Sequence, residues 1–280
     1  WPGTIEIARL PNVDKNTHFQ FSPQPAVMLL VNPTTSQLWQ WHIGDAQAEL
    51  VAQLPSQGGK LLDLSFSRNA QRILLRYQSN TKYAAQVVEW SSGRVCFARS
   101  LPLADGRAQL SPDGRFLAAI DGKFGEPDSH LVRVIEVYSG EELARLEHTA
   151  SACSAAWHPD SQTLSVGLAN SNDIVTWDVA SGKQIRLRTS QRGGGPKLCV
   201  NSTGELLTSF SSWANIMDVW DAASERPLLH LTGELNVAWS HPDGRLLGET
   251  HRSDGGWHFE VVEPSTVLKT LERKPVLGAV

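Results

Sequence analysis

The feature that most constrains this chain is a repeated unit, clearest at residues 148–182, HTASACSAAWHPDSQTLSVGLANSNDIVTWDVASG. An alternating run from Ser154 to Trp157 meets the turn His158-Pro159-Asp160-Ser161. A second run, Thr163 to Leu168, ends in Asn170-Ser171-Asn172-Asp173, and a third, Ile174 to Val179, closes on Ser181-Gly182. Val, Ile, Thr and Trp suit a pleated surface, while Pro, Asp, Asn and Gly suit the turns between strands. The unit therefore predicts an antiparallel meander. Its turn recurs as Ser22-Pro23-Gln24-Pro25, Ser67-Arg68-Asn69-Ala70, Ser111-Pro112-Asp113-Gly114, Asn201-Ser202-Thr203-Gly204 and His241-Pro242-Asp243-Gly244.

A second landmark follows each turn: Trp41-His42, Val88-Glu89, Ile135-Glu136, Trp177-Asp178, Trp220-Asp221 and Val262-Glu263. The two landmarks advance together by roughly 40–47 residues, the spacing of four-stranded propeller blades. A fourth strand is expected after each second landmark, over 48–54, 94–101, 141–146, 183–187, 227–231 and 266–271. The expected fold is all-β, a β-propeller of four-stranded antiparallel blades, with six complete a-b-c-d repeats.

Blades four and five resemble WD-repeat β-propellers. His148 stands where that family's Gly-His dipeptide falls, and Trp177-Asp178 and Trp220-Asp221 match its Trp-Asp signature. SPDGRFLAA and WDVASGKQI look like the bacterial branch of the family. The resemblance gives His148, Trp177, Asp178, Trp220 and Asp221 structural roles, with His148 bonded inside its blade and Trp177 a buried aromatic. Glu147 replaces the Gly before His148, and blades two, three and six carry Glu at the Asp position.

The chain of 280 residues, 41% hydrophobic, is read as one propeller domain over 1–280 that buries a large core. Ten Trp against three Tyr and two Met suit wide inter-blade layers. A net charge of −4 from 25 basic and 29 acidic side chains gives no basic stripe, which excludes nucleic acid as an expected partner. No apolar run of about 18 residues is present, so no membrane span is expected. Cys96, Cys153 and Cys199 have no metal-type spacing, and their odd number points to buried free thiols in a reducing, cytoplasmic compartment. Residues 4–10 resemble a d strand and residues 272–280 an a strand. These stubs are expected to belong to a seventh blade, in a piece cut from a longer multidomain or tandem-propeller protein.

The a–b turns are short and uniform, whereas the b–c loops vary, and variable loops on a rigid scaffold are where binding concentrates. In propellers of this family those loops lie on the top face. Blade two offers Arg76-Tyr77 through Lys82-Tyr83, and blade three a long loop with Lys123 and Phe124. Blade five offers Trp213, and blade six Arg252 and Trp257. Aromatic rings beside charged groups are the mixture of binding hot spots, so Arg76, Tyr83, Lys123, Phe124, Trp213, Arg252 and Trp257 are the candidate contacts for a protein or peptide partner. Against this, Tyr83, Trp213 and Trp257 can equally begin their c strands and pack between blades.

Catalytic, cofactor and metal residues are not expected. The Gly-rich stretch Arg192-Gly193-Gly194-Gly195-Pro196 lacks the Lys-Ser/Thr and the following helix of a phosphate cradle. His251 and His258 lack the third and fourth ligands of a zinc site, and no nucleophile elbow occurs. Two functions follow as expectations. One is a non-catalytic protein-interaction scaffold, a sensory or regulatory module of a larger bacterial protein. The other is a ligand-binding or gating propeller attached to an enzyme, similar to the oligopeptidase or TolB-like types.

Overall fold

The computed structural model describes residues 17–22, 26–56, 59–80, 82–101, 103–121, 130–169, 171–189, 195–211, 216–232, 235–240, 246–251 and 257–262. These form antiparallel sheets, with no α-helix among the described residues. The first sheet is β1 (His18–Phe21), β2 (Val27–Asn32), β3 (Gln37–His42) and β4 (Glu49–Gln53). The second is β5 (Lys60–Phe66), β6 (Arg72–Ser79), β7 (Lys82–Glu89) and β8 (Val95–Leu101). The third is β9 (Leu103–Leu110), β10 (Phe116–Asp121), β11 (Leu131–Glu136) and β12 (Glu142–Glu147). The fourth is β13 (Ala152–Trp157), β14 (Thr163–Leu168), β15 (Asp173–Asp178) and β16 (Lys183–Thr189). The fifth is β17 (Lys197–Val200), β18 (Leu206–Ser211), β19 (Ile216–Asp221) and β20 (Pro227–Thr232), and the sixth is β21 (Leu235–Ser240), β22 (Leu246–His251) and β23 (Trp257–Val262). Within every sheet the strands pair in chain order, as the meander pattern predicts. The fourth strand expected over 266–271 lies outside the described residues.

The chain divides into two compact units, residues 1–123 with 133–143, and residues 124–132 with 144–280. In the first unit, β6 explains itself from its sequence, RILLRYQS. Successive side chains point to opposite faces of a strand, and here both faces are covered. Ile73, Leu75 and Tyr77 pack with Val27, Leu29 and Val31 of the first sheet, while Leu74 packs with Leu117 and Ile135 of the third. A run of consecutive apolar residues is the consequence. Each fully buried leucine in these layers stabilises by about 1.5–3 kcal/mol. In the second unit, Ala156 and Ile174 of the fourth sheet pack on Val200, Leu207, Trp220 and Ala222 of the fifth, whose other face carries Phe210, Met217 and Val219.

The turn between the first two strands is built alike in the second, third and fifth sheets, where the side chain of its first residue accepts the amide that opens the second strand. Ser111 Oγ accepts the amide of Phe116 at 2.9 Å and donates to Asp113 Oδ1 at 2.6 Å. Ser67 does the same with Arg72 and Asn69, and Asn201 Oδ1 accepts the amide of Leu206 at 3.0 Å. The fourth turn residue is left-handed in the second to fifth sheets, at φ 74° for Gly114 and 80° for Gly204, but also 57° for Ala70 and 55° for Ser161. Register shifts recur where the fourth strand begins pairing, between Leu38 and Trp39, Val87 and Val88, Thr176 and Trp177, and Val219 and Trp220. Such bulges bend the outer strand and raise its twist.

Candidate functional site

From the second sheet to the fifth the second landmark closes the third strand, and its acidic residue caps the turn that follows. Asp178 Oδ1 accepts from the Ser181 amide at 2.8 Å and hydroxyl at 2.5 Å, bonds that hold its carboxyl below the usual carboxylate range. Asp221 accepts from the Ala223 amide at 2.9 Å and the Ser224 hydroxyl at 3.0 Å. Glutamate does the same work: Ser139 N–H donates to Glu136 at 2.6 Å, and Ser92 Oγ to Glu89 at 2.5 Å. The extra methylene still reaches the turn.

The two Trp of the signature differ. Trp220 is 4% exposed, and its indole N–H donates to Ser209 Oγ at 3.1 Å. Trp177 is half-buried rather than buried, a correction to the sequence reading. Its indole N–H donates to His148 Nε2 at 3.0 Å, while His148 Nδ1 lies 3.1 Å from the His130 carbonyl. A carbonyl can only accept, so Nδ1 carries the proton and Nε2 receives the indole. Burial, the main cause, lowers the His148 pKa, in keeping with this neutral form.

Beneath this lies a buried polar chain. Arg188, 2% exposed, donates through Nη1 to Thr176 Oγ1 at 3.0 Å; the Thr176 and Ser165 hydroxyls are 2.9 Å apart, and Ser165 Oγ is 2.9 Å from His158 Nε2. A guanidinium only donates, so Thr176 accepts from Arg188, and the Thr176 and Ser165 hydroxyls link that bond to His158. Arg188 also donates to the fifth sheet, through Nε to Ser224 O at 3.0 Å and through Nη2 to Ala222 O at 2.9 Å. Arg99 makes the corresponding reach in the first unit, from β8 to Gly140 O at 2.7 Å.

Of the expected partner contacts, Arg76 and Tyr83 stand on paired strands and not in a loop. The ladder of β6 and β7 continues to the pair Ser79 and Lys82, and Asn80 beyond it is left-handed at φ 53°. Arg76 Nε donates to Asp63 Oδ1 at 2.6 Å and forms an ion pair with it, and Gln78 Nε2 donates to Tyr83 Oη at 3.1 Å. Trp257 opens β23, opposite His251. Lys123, Phe124, Trp213 and Arg252 lie outside the described residues. The three cysteines are free, as expected, but partly rather than fully buried. Among the described residues no three His, Cys, Asp or Glu side chains are placed to share a metal ion. No helix there is long and apolar enough to cross a membrane.

Sequence reasoning missed a cavity that combines an acid, a base and apolar walls. It measures 530 Å³ and lies between the outer strands of the fourth and fifth sheets, lined by Leu187, Arg188 and Thr189 on β16 and by Asp218, Trp220, Pro227, Leu229 and His230 on the fifth sheet. Asp218 and Trp220 are two apart on β19 and share a face, and the register sets His230 beside Asp218. His230 Nδ1 is bonded to Asp218 Oδ1 in a close pair. The Asp218 side chain is 5% exposed and that of His230 38%. The available signal was an acid inside an apolar strand, IMDVWD, with His in the next, PLLHLT. No family model and no curated protein matches this chain.

Proposed function

We propose that this chain is a WD-repeat-like β-propeller module, its sheets successive blades of a seven-bladed ring, serving as a non-catalytic protein-interaction scaffold in a larger bacterial, cytoplasmic protein. The observation that carries this reading is the exposure of large apolar side chains on well-paired strands. Phe19 is 65% and Phe21 58% exposed in the first unit, and Ile185 and Leu187 are exposed in the second. Exposed apolar groups on a rigid frame are what a partner buries, and a frame already ordered spares the cost of ordering on binding. The acidic and imidazole groups of the repeat signature are meanwhile engaged in turns and strand contacts. Lys123, Phe124, Trp213, Arg252 and Trp257 are the loop-region contacts of this reading, with Arg76 and Tyr83 flanking them on strands. The test is capture of a defined protein by the immobilised chain, compared with a Phe124→Ala/Trp213→Ala/Trp257→Ala variant and a Phe19→Ser/Phe21→Ser variant. Loss of capture at unchanged melting temperature supports the reading, and equal capture by all three proteins refutes it.

The second reading, a ligand-binding or gating propeller attached to an enzyme, draws on the Asp218–His230 cavity. A hydrolase domain in the same parent reading frame would favour it over the first.

A further inference from the structure

We infer that the cavity between the fourth and fifth sheets binds a neutral ligand built on a phenol: a flat ring seated against Trp220 and Pro227, with its hydroxyl donating to His230 Nε2. The two readings share Leu187, which lines the cavity, but the residues at which the scaffold reading is tested, Phe19, Phe21, Phe124, Trp213 and Trp257, do not line it, so either can fail without the other.

The chemistry follows from what each wall group has left to offer. A volume of 530 Å³ lies within the range of ligand sites, about 300–1,000 Å³. Leu187, Pro227, Leu228, Leu229 and Trp220 supply apolar contact. The guanidinium of Arg188 is largely engaged, since Nε and Nη2 donate to backbone oxygens and one Nη1 N–H to Thr176, which leaves a single Nη1 N–H. It therefore makes no bidentate clamp for an anion, and the carboxylates of Asp218 and Glu225 in the same lining repel one.

The imidazole sets the remaining requirement. His230 Nδ1 is held on the buried Asp218 carboxylate, which fixes the proton on that nitrogen and leaves a lone pair on Nε2. Nε2 has no partner among the described residues, so the ligand group that meets it must be a donor. A ring that satisfies Trp220 and carries one O–H meets both demands. A hydrocarbon ring of the same shape meets only the first and leaves Nε2 without a partner once water is displaced.

The probes are N-acetyl-tyrosinamide and N-acetyl-phenylalaninamide, which differ by the hydroxyl alone, and p-cresol, which lacks the peptide groups. Binding is read from the His230 ring signals by NMR and from tryptophan fluorescence. The expected result is saturation by the tyrosine amide near about 0.3 mM, the affinity usual for a ligand of its size. Binding of the phenylalanine amide should be about tenfold weaker, the worth of one hydrogen bond. In His230→Leu the two amides should bind alike. Because that substitution removes the imidazole partner of the buried Asp218 carboxylate, His230→Gln serves as the second variant, and it too should bind the tyrosine amide about tenfold more weakly. Tighter binding of the amide than of p-cresol would identify a peptide side chain as the natural occupant, and equal binding a free phenolic compound. Equal affinity for the two amides in the unaltered protein, or no saturation, overturns the inference whatever the variants do.

Discussion

The polar chain that ends at His158 makes a sharp prediction about acid. His158 is 6% exposed, and burial, the main cause, pushes its pKa from 6.5 down to about 4; Arg188 and Arg186 push the same way and Asp160 opposes them. The hydrogen bonds agree with that direction. A neutral His158 Nε2 accepts the Ser165 hydroxyl proton, and protonating Nε2 makes it a donor and forces that hydroxyl to give up this bond. The folded value lies below the unfolded one, so between them the unfolded chain binds more protons. The stabilisation is therefore complete above about pH 6.5 and is lost as pH falls towards about 4. A gap of about 2.5 pH units at about 1.4 kcal/mol each is worth about 3 kcal/mol. The assay is urea unfolding of the unaltered protein and of His158→Gln at pH 7, 6, 5 and 4. Gln retains a side chain that can meet Ser165 but does not titrate, so acid losses common to both proteins cancel. The advantage of the native histidine should shrink by about 3 kcal/mol from pH 7 to pH 4. A constant difference, or an imidazole NMR titration of His158 centred near 6.5, refutes the reasoning.

Two further outcomes test the repeated architecture. Ala70 sits at φ 57° where the equivalent position of the third sheet is Gly114, so Ala70→Gly should stabilise by about 0.5–1 kcal/mol in thermal unfolding. Gly114→Ala should cost about 1–2 kcal/mol, since its φ is 74° and the new Cβ would lie 3.1 Å from Arg72 Cδ. The two signature tryptophans should separate in the same assay: Trp220→Ala loses about 3–5 kcal/mol as a buried ring, and the half-buried Trp177→Ala loses clearly less.

Much of the fold was legible because its determinants are local. The turn residues are read from four adjacent positions, and the acidic landmark sits at the end of each described third strand from the second sheet to the fifth. Glu89 and Glu136 looked like departures from the Trp-Asp pattern, yet they cap as Asp178 does, because the turn asks only for a carboxylate within reach of its amide or hydroxyl. The misplacement of Arg76 and Tyr83 has a physical source as well. Arg and Tyr beside Gln, Ser and Asn read as loop composition, but across the ladder Asp63 takes the charge and Gln78 the phenol, so the strand keeps them.

The cavity stayed hidden because its chemistry depends on register. Asp218 and His230 are twelve residues apart, and nothing in either strand alone says they pair. A slip of one residue on β20 would put His230 on the opposite face and send Leu229 or Leu231 to Asp218. The alignment is that of the ladder from Ile216–Thr232 to Val219–Leu229, and it shifts by one residue at the bulge before Trp220. Arg188 was hidden for the same reason. On an outer strand it reads as a solvent-facing charge, and it is buried only because the fifth sheet presents the carbonyls of Ala222 and Ser224 to receive it. Those carbonyls are positioned by the turn that Asp221 caps, so a residue assigned to a structural signature also orients the floor of the cavity. Replacing Asp221 should therefore perturb the cavity as well as the turn, which neither the signature nor the cavity would suggest alone.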